Sequence, residues 1–129
     1  MGQFEYSVPL SSVKPADIER IAVEYMKNKE RESMKNLDNF RDIAVSYYDD
    51  ALNVLVKKQA DYGPKNIAHA PGGALNGLRV RMHDKMSRIN NLVDNNATPE
   101  NESLRDSFLD MLNYSVIAMM VLDGVWPNE

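Results

Sequence analysis

Residues 102–122 join two features that constrain the fold more than any other part of the chain. From Met111 to Leu122 the sequence MLNYSVIAMMVL is apolar almost all round, as expected of a central helix. Yet Glu102, Asp106, Asp110 and Asn113 fall at i, i+4, i+8 and i+11, which draws one polar stripe along the same helix. Such a helix needs neighbours that cover its apolar sides and answer its carboxylates. Gly124 supplies its stop.

Three further segments share the helical spacing. Pro15 suits a first helical turn, Asp17 and Glu19 suit its positive end, and Ile18, Ile21, Ala22, Tyr25 and Met26 follow it. The mixed-charge run KNKERESMKN at 27–36 then either prolongs that helix or acts as a linker. A second helix is expected from Asp38 as N-cap, with Phe40, Ile43, Ala44, Tyr47, Tyr48, Ala51, Leu52 and Leu55 as its apolar stripe. Gly63 and Pro64 end it. A third runs from about Leu78 to Val93, with Leu78, Met82, Met86, Ile89 and Leu92 on the buried face. The fourth spans about Glu100 to Asp123. Nothing alternates as a strand does. The expected fold is all-α, a compact bundle of about four helices over 15–129, preceded by an extended lead-in at 1–14.

Composition narrows the function classes. With 129 residues, 15 Lys and Arg against 19 Asp and Glu, the formal charge of −4 argues against a general nucleic-acid binder. There is no cysteine, so disulfide frameworks, thiolate zinc sites and cysteine nucleophiles are excluded, and two histidines cannot form a three-histidine metal site. No segment approaches the ~20 apolar residues of a membrane span, and no signal peptide is visible, so a cytoplasmic protein without membrane association is expected.

Candidate chemistry gathers on the last two helices. Arg81, Asp84, Lys85 and Arg88 share a face of the third helix, and a short connection makes it an antiparallel neighbour of the fourth. Arg81, Lys85 and Arg88 would then stand opposite Glu102, Asp106 and Asp110. Two readings fit: a salt-bridge ladder, or a pocket where carboxylates hold magnesium and cations hold phosphates. The glycine-rich loop DYGPKNIAHAPGGALNG at 61–77 enters the third helix, where backbone N–H groups suit an anion, with Lys58, Lys65 and Arg79 nearby. Tyr62 or Tyr114 offers a stacking surface for a base. His69 reads as a solvated loop residue, His83 as a surface or salt-bridging residue beside the charged stripe, and Trp126 as packing the C-terminal tail onto the bundle.

DYGPKN at 61–66, LNGLRVRMHDKMSRINNL at 75–92 and ESLRDSFLDMLNYSVI at 102–117 resemble the phage-enriched nucleotide modification associated domain family, first type. The resemblance covers about Val56 to Pro127. That family is regarded as similar to the all-α MazG-like nucleotide pyrophosphohydrolases, so the resemblance implies a nucleotide ligand, a phage setting and homo-oligomerisation. MazG-like enzymes pair an EExxE motif with an ExxD motif. Here the acidic stripe has a spacing of four, and the partner helix offers only Asp42, Asp49 and Asp50.

The expectation is therefore a protein that binds or sequesters a phosphorylated nucleotide. Its ligand residues would be Lys58, Asp61, Tyr62, Lys65, Arg79, Arg81, Lys85, Arg88 and Asn113. Magnesium would sit on Glu102, Asp106 and Asp110. The alternatives are a magnesium-dependent pyrophosphohydrolase and a protein-interaction module whose charges are structural.

Overall fold

Lysine, glutamate, arginine and methionine are all strong helix formers, and nothing between Pro15 and Tyr62 breaks a helix. In the computed structural model, which describes residues 14–129, the first two expected helices are accordingly one: α1, Pro15–Tyr62, of 48 residues. The mixed-charge run prolongs the helix, and Asp38 lies inside it and caps nothing. Apart from Lys14, the expected lead-in falls outside the described residues.

Gly63, at φ 67°, turns the chain out of α1 and donates its N–H to Gln59 O at 2.8 Å. The loop at 61–77 is more ordered than its glycines imply. It holds a single helical turn, α2 (Lys65–Ala68), and the next helix, α3 (Ala74–Asp94), starts four residues earlier than Leu78. α4 (Leu104–Leu122) begins later than Glu100, because Ser103 caps it by accepting the Asp106 N–H at 3.1 Å. At its other end Gly124, at φ 72°, donates to Val121 O and Val125 donates to Met120 O, the bond pair of a Schellman cap. The described residues are thus all-α, with four helices in the order α1, α2, α3, α4.

The chain divides into two compact units. The described part of the first is the α1 segment 14–45, where Arg20 pairs with Asp17 at 3.3 Å and Lys29 lies 5.4 Å from the Tyr25 ring centre. The second, Ser46–Glu129, is a helical bundle. Its core is Ile67, Leu78 and Ile117, with Leu55, Ala74, Tyr114, Ala118, Val121 and Trp126 packed around them. α3 and α4 run antiparallel, since Arg88 meets Ser107 while Lys85, a turn earlier, meets Asp110. α1 meets α4 where Ala51, almost fully buried, accepts a hydrogen bond from Asn113.

The polar stripe of α4 turns inward in part, at Asp110 and Asn113. The helix's buried positions are Ser107, Asp110, Asn113 and Ile117, two of them from the polar stripe, whereas Phe108, Met119 and Leu122 are exposed. Among the described residues, no helix is long and apolar enough to cross a membrane.

Candidate functional site

Four side chains on one face of α1, at i, i+3, i+4 and i+7, open the site: Leu55, Lys58, Gln59 and Tyr62. They form one wall of a hollow of about 330 Å³. Asn66 and Ile67 of α2, Arg81 of α3 and the α4 residues Asp110, Asn113, Tyr114 and Ile117 form the others, and Trp126 completes it. Trp126 is fixed there because its indole N–H donates to Pro64 O at 3.1 Å.

A charged network runs from this hollow along the α3–α4 interface. Asp110, with a side chain only 7% exposed, takes Lys58 on Oδ1 at 2.8 Å and Lys85 on Oδ2 at 2.9 Å. Lys85 also holds Glu102 at 2.6 Å. Arg88 donates to the Glu102 backbone carbonyl and to Ser107 Oγ, the latter at 2.5 Å. Arg81 donates to Asn66 O at 3.3 Å and has no carboxylate partner among the described residues. The salt-bridge ladder is therefore real, with a different set of pairs. Lys58 of α1, not Arg81, answers Asp110, and Asp106 stands exposed on α4 outside the network.

The titration of these groups follows from the contacts. Burial alone would push the Asp110 carboxyl up, but the hydrogen bonds and charges of Lys58 and Lys85 outweigh it and hold it below the usual carboxylate value. The bond to Asp110 raises the Lys58 ammonium against a smaller opposing effect of burial. For Lys85, burial is the largest influence and acts downward, yet its bonds to Glu102 and Asp110 leave it raised.

Other expected site residues stand apart. Asp61 and Lys65 are exposed and do not line the hollow. Arg79 is engaged by Asn76 Oδ1 at 2.7 Å on the surface. The glycines of the loop serve its turns: Gly73, at φ 96°, donates to Ala70 O, and neither it nor Gly72 reaches the hollow. Sequence reasoning passed over Gln59 and Asn66 and read Trp126 only as packing. The face shared with Lys58 and Tyr62 could have revealed Gln59. Asn66 carries a sharper mark, because its Oδ1 is buried without a hydrogen-bond partner. An unanswered buried acceptor costs about 1–3 kcal/mol, which a donor on a ligand would offset.

The donor set does not fit the expected magnesium site. Glu102 and Asp110 both turn onto Lys85, Asp106 points elsewhere, and no three acidic or histidine side chains gather among the described residues. What the arrangement offers instead is positive charge. Lys58, Arg81, Lys85 and Arg88 outnumber Glu102 and Asp110 by two.

A second, more apolar hollow of about 230 Å³ lies between Tyr48, Ala51 and Leu52 of α1 and Leu112 and Val116 of α4. Leu55 and Asn113 line both hollows.

Neither a search of curated proteins nor one of solved structures finds a match to the chain. Residues 58–122, just over half of it, match the family described as nucleotide modification associated domain 1. The match begins at Lys58 and takes in Arg81, Lys85, Arg88, Glu102, Asp110 and Asn113, so the charged network lies within it. The chain belongs to the nucleotide modification associated domain 1 family.

Proposed function

We propose that the protein binds a phosphorylated nucleotide in the hollow between α1, α2, α3 and α4, and holds it without hydrolysing it. The observation that carries this reading is the charge excess: two cations, Lys58 and Arg81, line a hollow that holds one carboxylate, Asp110, which pairs with Lys58 and leaves Arg81 unanswered among the described residues. Phosphate oxygens are the natural complement of such a pair. Tyr62, Tyr114 and Trp126 supply aromatic surface for a base in the same space. A volume of 330 Å³ falls in the range of small-molecule sites. Binding is favoured over hydrolysis because both carboxylates of the network are engaged by lysines and neither is free to activate water.

A thermal-shift screen of mono-, di-, tri- and cyclic nucleotides, with magnesium and with chelator, tests the reading. A ligand present at 100 times its dissociation constant stabilises the fold by about 2.7 kcal/mol. The expected result is a shift that persists in chelator and leaves the nucleotide intact. No shift with any nucleotide overturns it.

We also propose that the protein self-associates. Phe108, Met119 and Leu122 on α4, with Tyr47, Tyr48, Leu52 and Val56 on α1, are all about half-exposed or more. Apolar surface of this extent supports an interface between copies.

A further inference from the structure

The two lysines on Asp110 are not equivalent. Lys85 is 21% exposed and anchored twice, to Asp110 and to Glu102. Lys58 is 47% exposed, lines the hollow, and has Asp110 as its one ion-pair partner among the described residues. Each lysine occupies its own carboxylate oxygen, so either can leave without disturbing the other's bond.

We propose that Asp110 is a built-in counter-anion: it holds Lys58 while the hollow is empty and yields it to the phosphate of an entering ligand. The inference rests on the nucleotide reading above and assigns Asp110 the opposite of a ligand-recruiting role. Stripping a buried carboxylate of all its cations is costly, but here Lys85 remains on Oδ2 when Lys58 departs. A phosphate carries more charge than one carboxylate and offers more acceptor oxygens, so the exchange runs toward the ligand. Asp110 then competes with the ligand for Lys58, which keeps weakly charged anions out of the site and admits phosphorylated ones.

Asp110→Asn keeps the shape and an acceptor oxygen while removing the competing charge. The probe is whichever of ATP, GTP, CTP and UTP the unaltered protein binds most tightly. Asp110→Asn should bind it about fivefold more tightly, equivalent to ~1 kcal/mol and in the range of a half-exposed ion pair. Lys58→Met should bind it more weakly, and the double variant should match Lys58→Met, because without Lys58 there is nothing to compete for. Unchanged or weaker binding by Asp110→Asn overturns the inference and leaves the nucleotide reading standing. An unaltered protein that binds none of the four overturns the inference, and the nucleotide reading falls with it only if the wider screen above is also silent. Nuclear magnetic resonance on the unaltered protein gives a check that needs no folded Asp110 variant. The Lys58 ammonium signal, assigned by its absence from Lys58→Met, should move on adding the probe while that of Lys85 stays. An unmoved Lys58 signal overturns the proposal.

Discussion

Lys85 is the cation that Glu102 and Asp110 share: its Nζ stands 2.6 Å from Glu102 Oε2 and 2.9 Å from Asp110 Oδ2. Glu102 precedes α4 and Asp110 lies two turns into it, so this one ammonium from α3 fixes both the start and the middle of the partner segment. Lys85→Met should lower stability to urea by about 2 kcal/mol, less than breaking a fully buried pair because Lys58 still serves Asp110. Arg20→Ala, which removes the exposed pair with Asp17, is the control and should be close to neutral. Equal losses in the two variants would contradict the structural weight given to Lys85.

The pH dependence has a definite sign. Asp110 titrates below its ordinary 3.8 in the folded chain, so its ionised form stabilises the fold. That contribution is complete above 3.8 and disappears as the pH falls from there through the folded value. Lys58 and Lys85 titrate above their ordinary 10.5, so their contribution is complete below 10.5 and disappears as the pH rises through the folded values. Melting temperatures followed across both limits should show Asp110→Asn losing less stability than the unaltered protein at each end. Parallel curves would show that the Asp110 pairs contribute nothing.

Gly77 gives a prediction against the usual rule. Alanine in place of a glycine within a helix ordinarily stabilises by about 0.5–1 kcal/mol. At Gly77, inside α3, an added Cβ would stand 2.6 Å from the Ala70 Cβ. Gly77→Ala should therefore destabilise, by roughly 1–3 kcal/mol as for other overpacked positions, and Ala70→Gly in the same chain should recover most of the loss. Calorimetry on the three proteins settles the sign.

Arg81→Ala separates ligand binding from structure. Arg81 gives its one hydrogen bond to the Asn66 carbonyl and pairs with no carboxylate among the described residues, so its removal should cost about 1 kcal/mol of stability or less. Nucleotide affinity should fall more steeply as phosphates are added. An affinity loss that is the same for mono- and triphosphates would assign Arg81 to the base or sugar.

The legible and the illegible divide along physical lines. Spacing alone placed Arg81, Lys85 and Arg88 on one face of α3 and Asp110 with Asn113 on one stripe of α4, because helical periodicity fixes direction about the axis. It could not choose partners. A lysine reaches far enough that Lys58, from α1, takes the oxygen that spacing offered to Arg81. Spacing puts Glu102 on the helix although its cap is Ser103, since a cap is decided by a local hydrogen bond that periodicity does not report. The sequence leaves the continuity of α1 open because favourable residues at 27–36 permit a helix without requiring one. Asn66 and Trp126 join the hollow through the turn after Gly63, which no periodic pattern describes.

Light scattering tests self-association. At micromolar concentration the mass should exceed the 14.6 kDa of one chain, and Phe108→Glu or Leu52→Glu should lower it toward that value. A single-chain mass for the unaltered protein would overturn the proposal.

Asn113 also works as a partition. Its side chain is tied to the Ala51 carbonyl at 3.1 Å and stands in the lining of the hollows of 330 Å³ and 230 Å³ at once. One side of that wall faces Lys58, Arg81 and Asp110, the other mostly aliphatic side chains with Tyr48 and Asp49. Trimming Asn113 to alanine would remove that bond to Ala51 and the polar half of the wall, and leave the lysines in place. Leu55 stands in the same wall, so one amide and one leucine together keep two spaces of unlike chemistry apart.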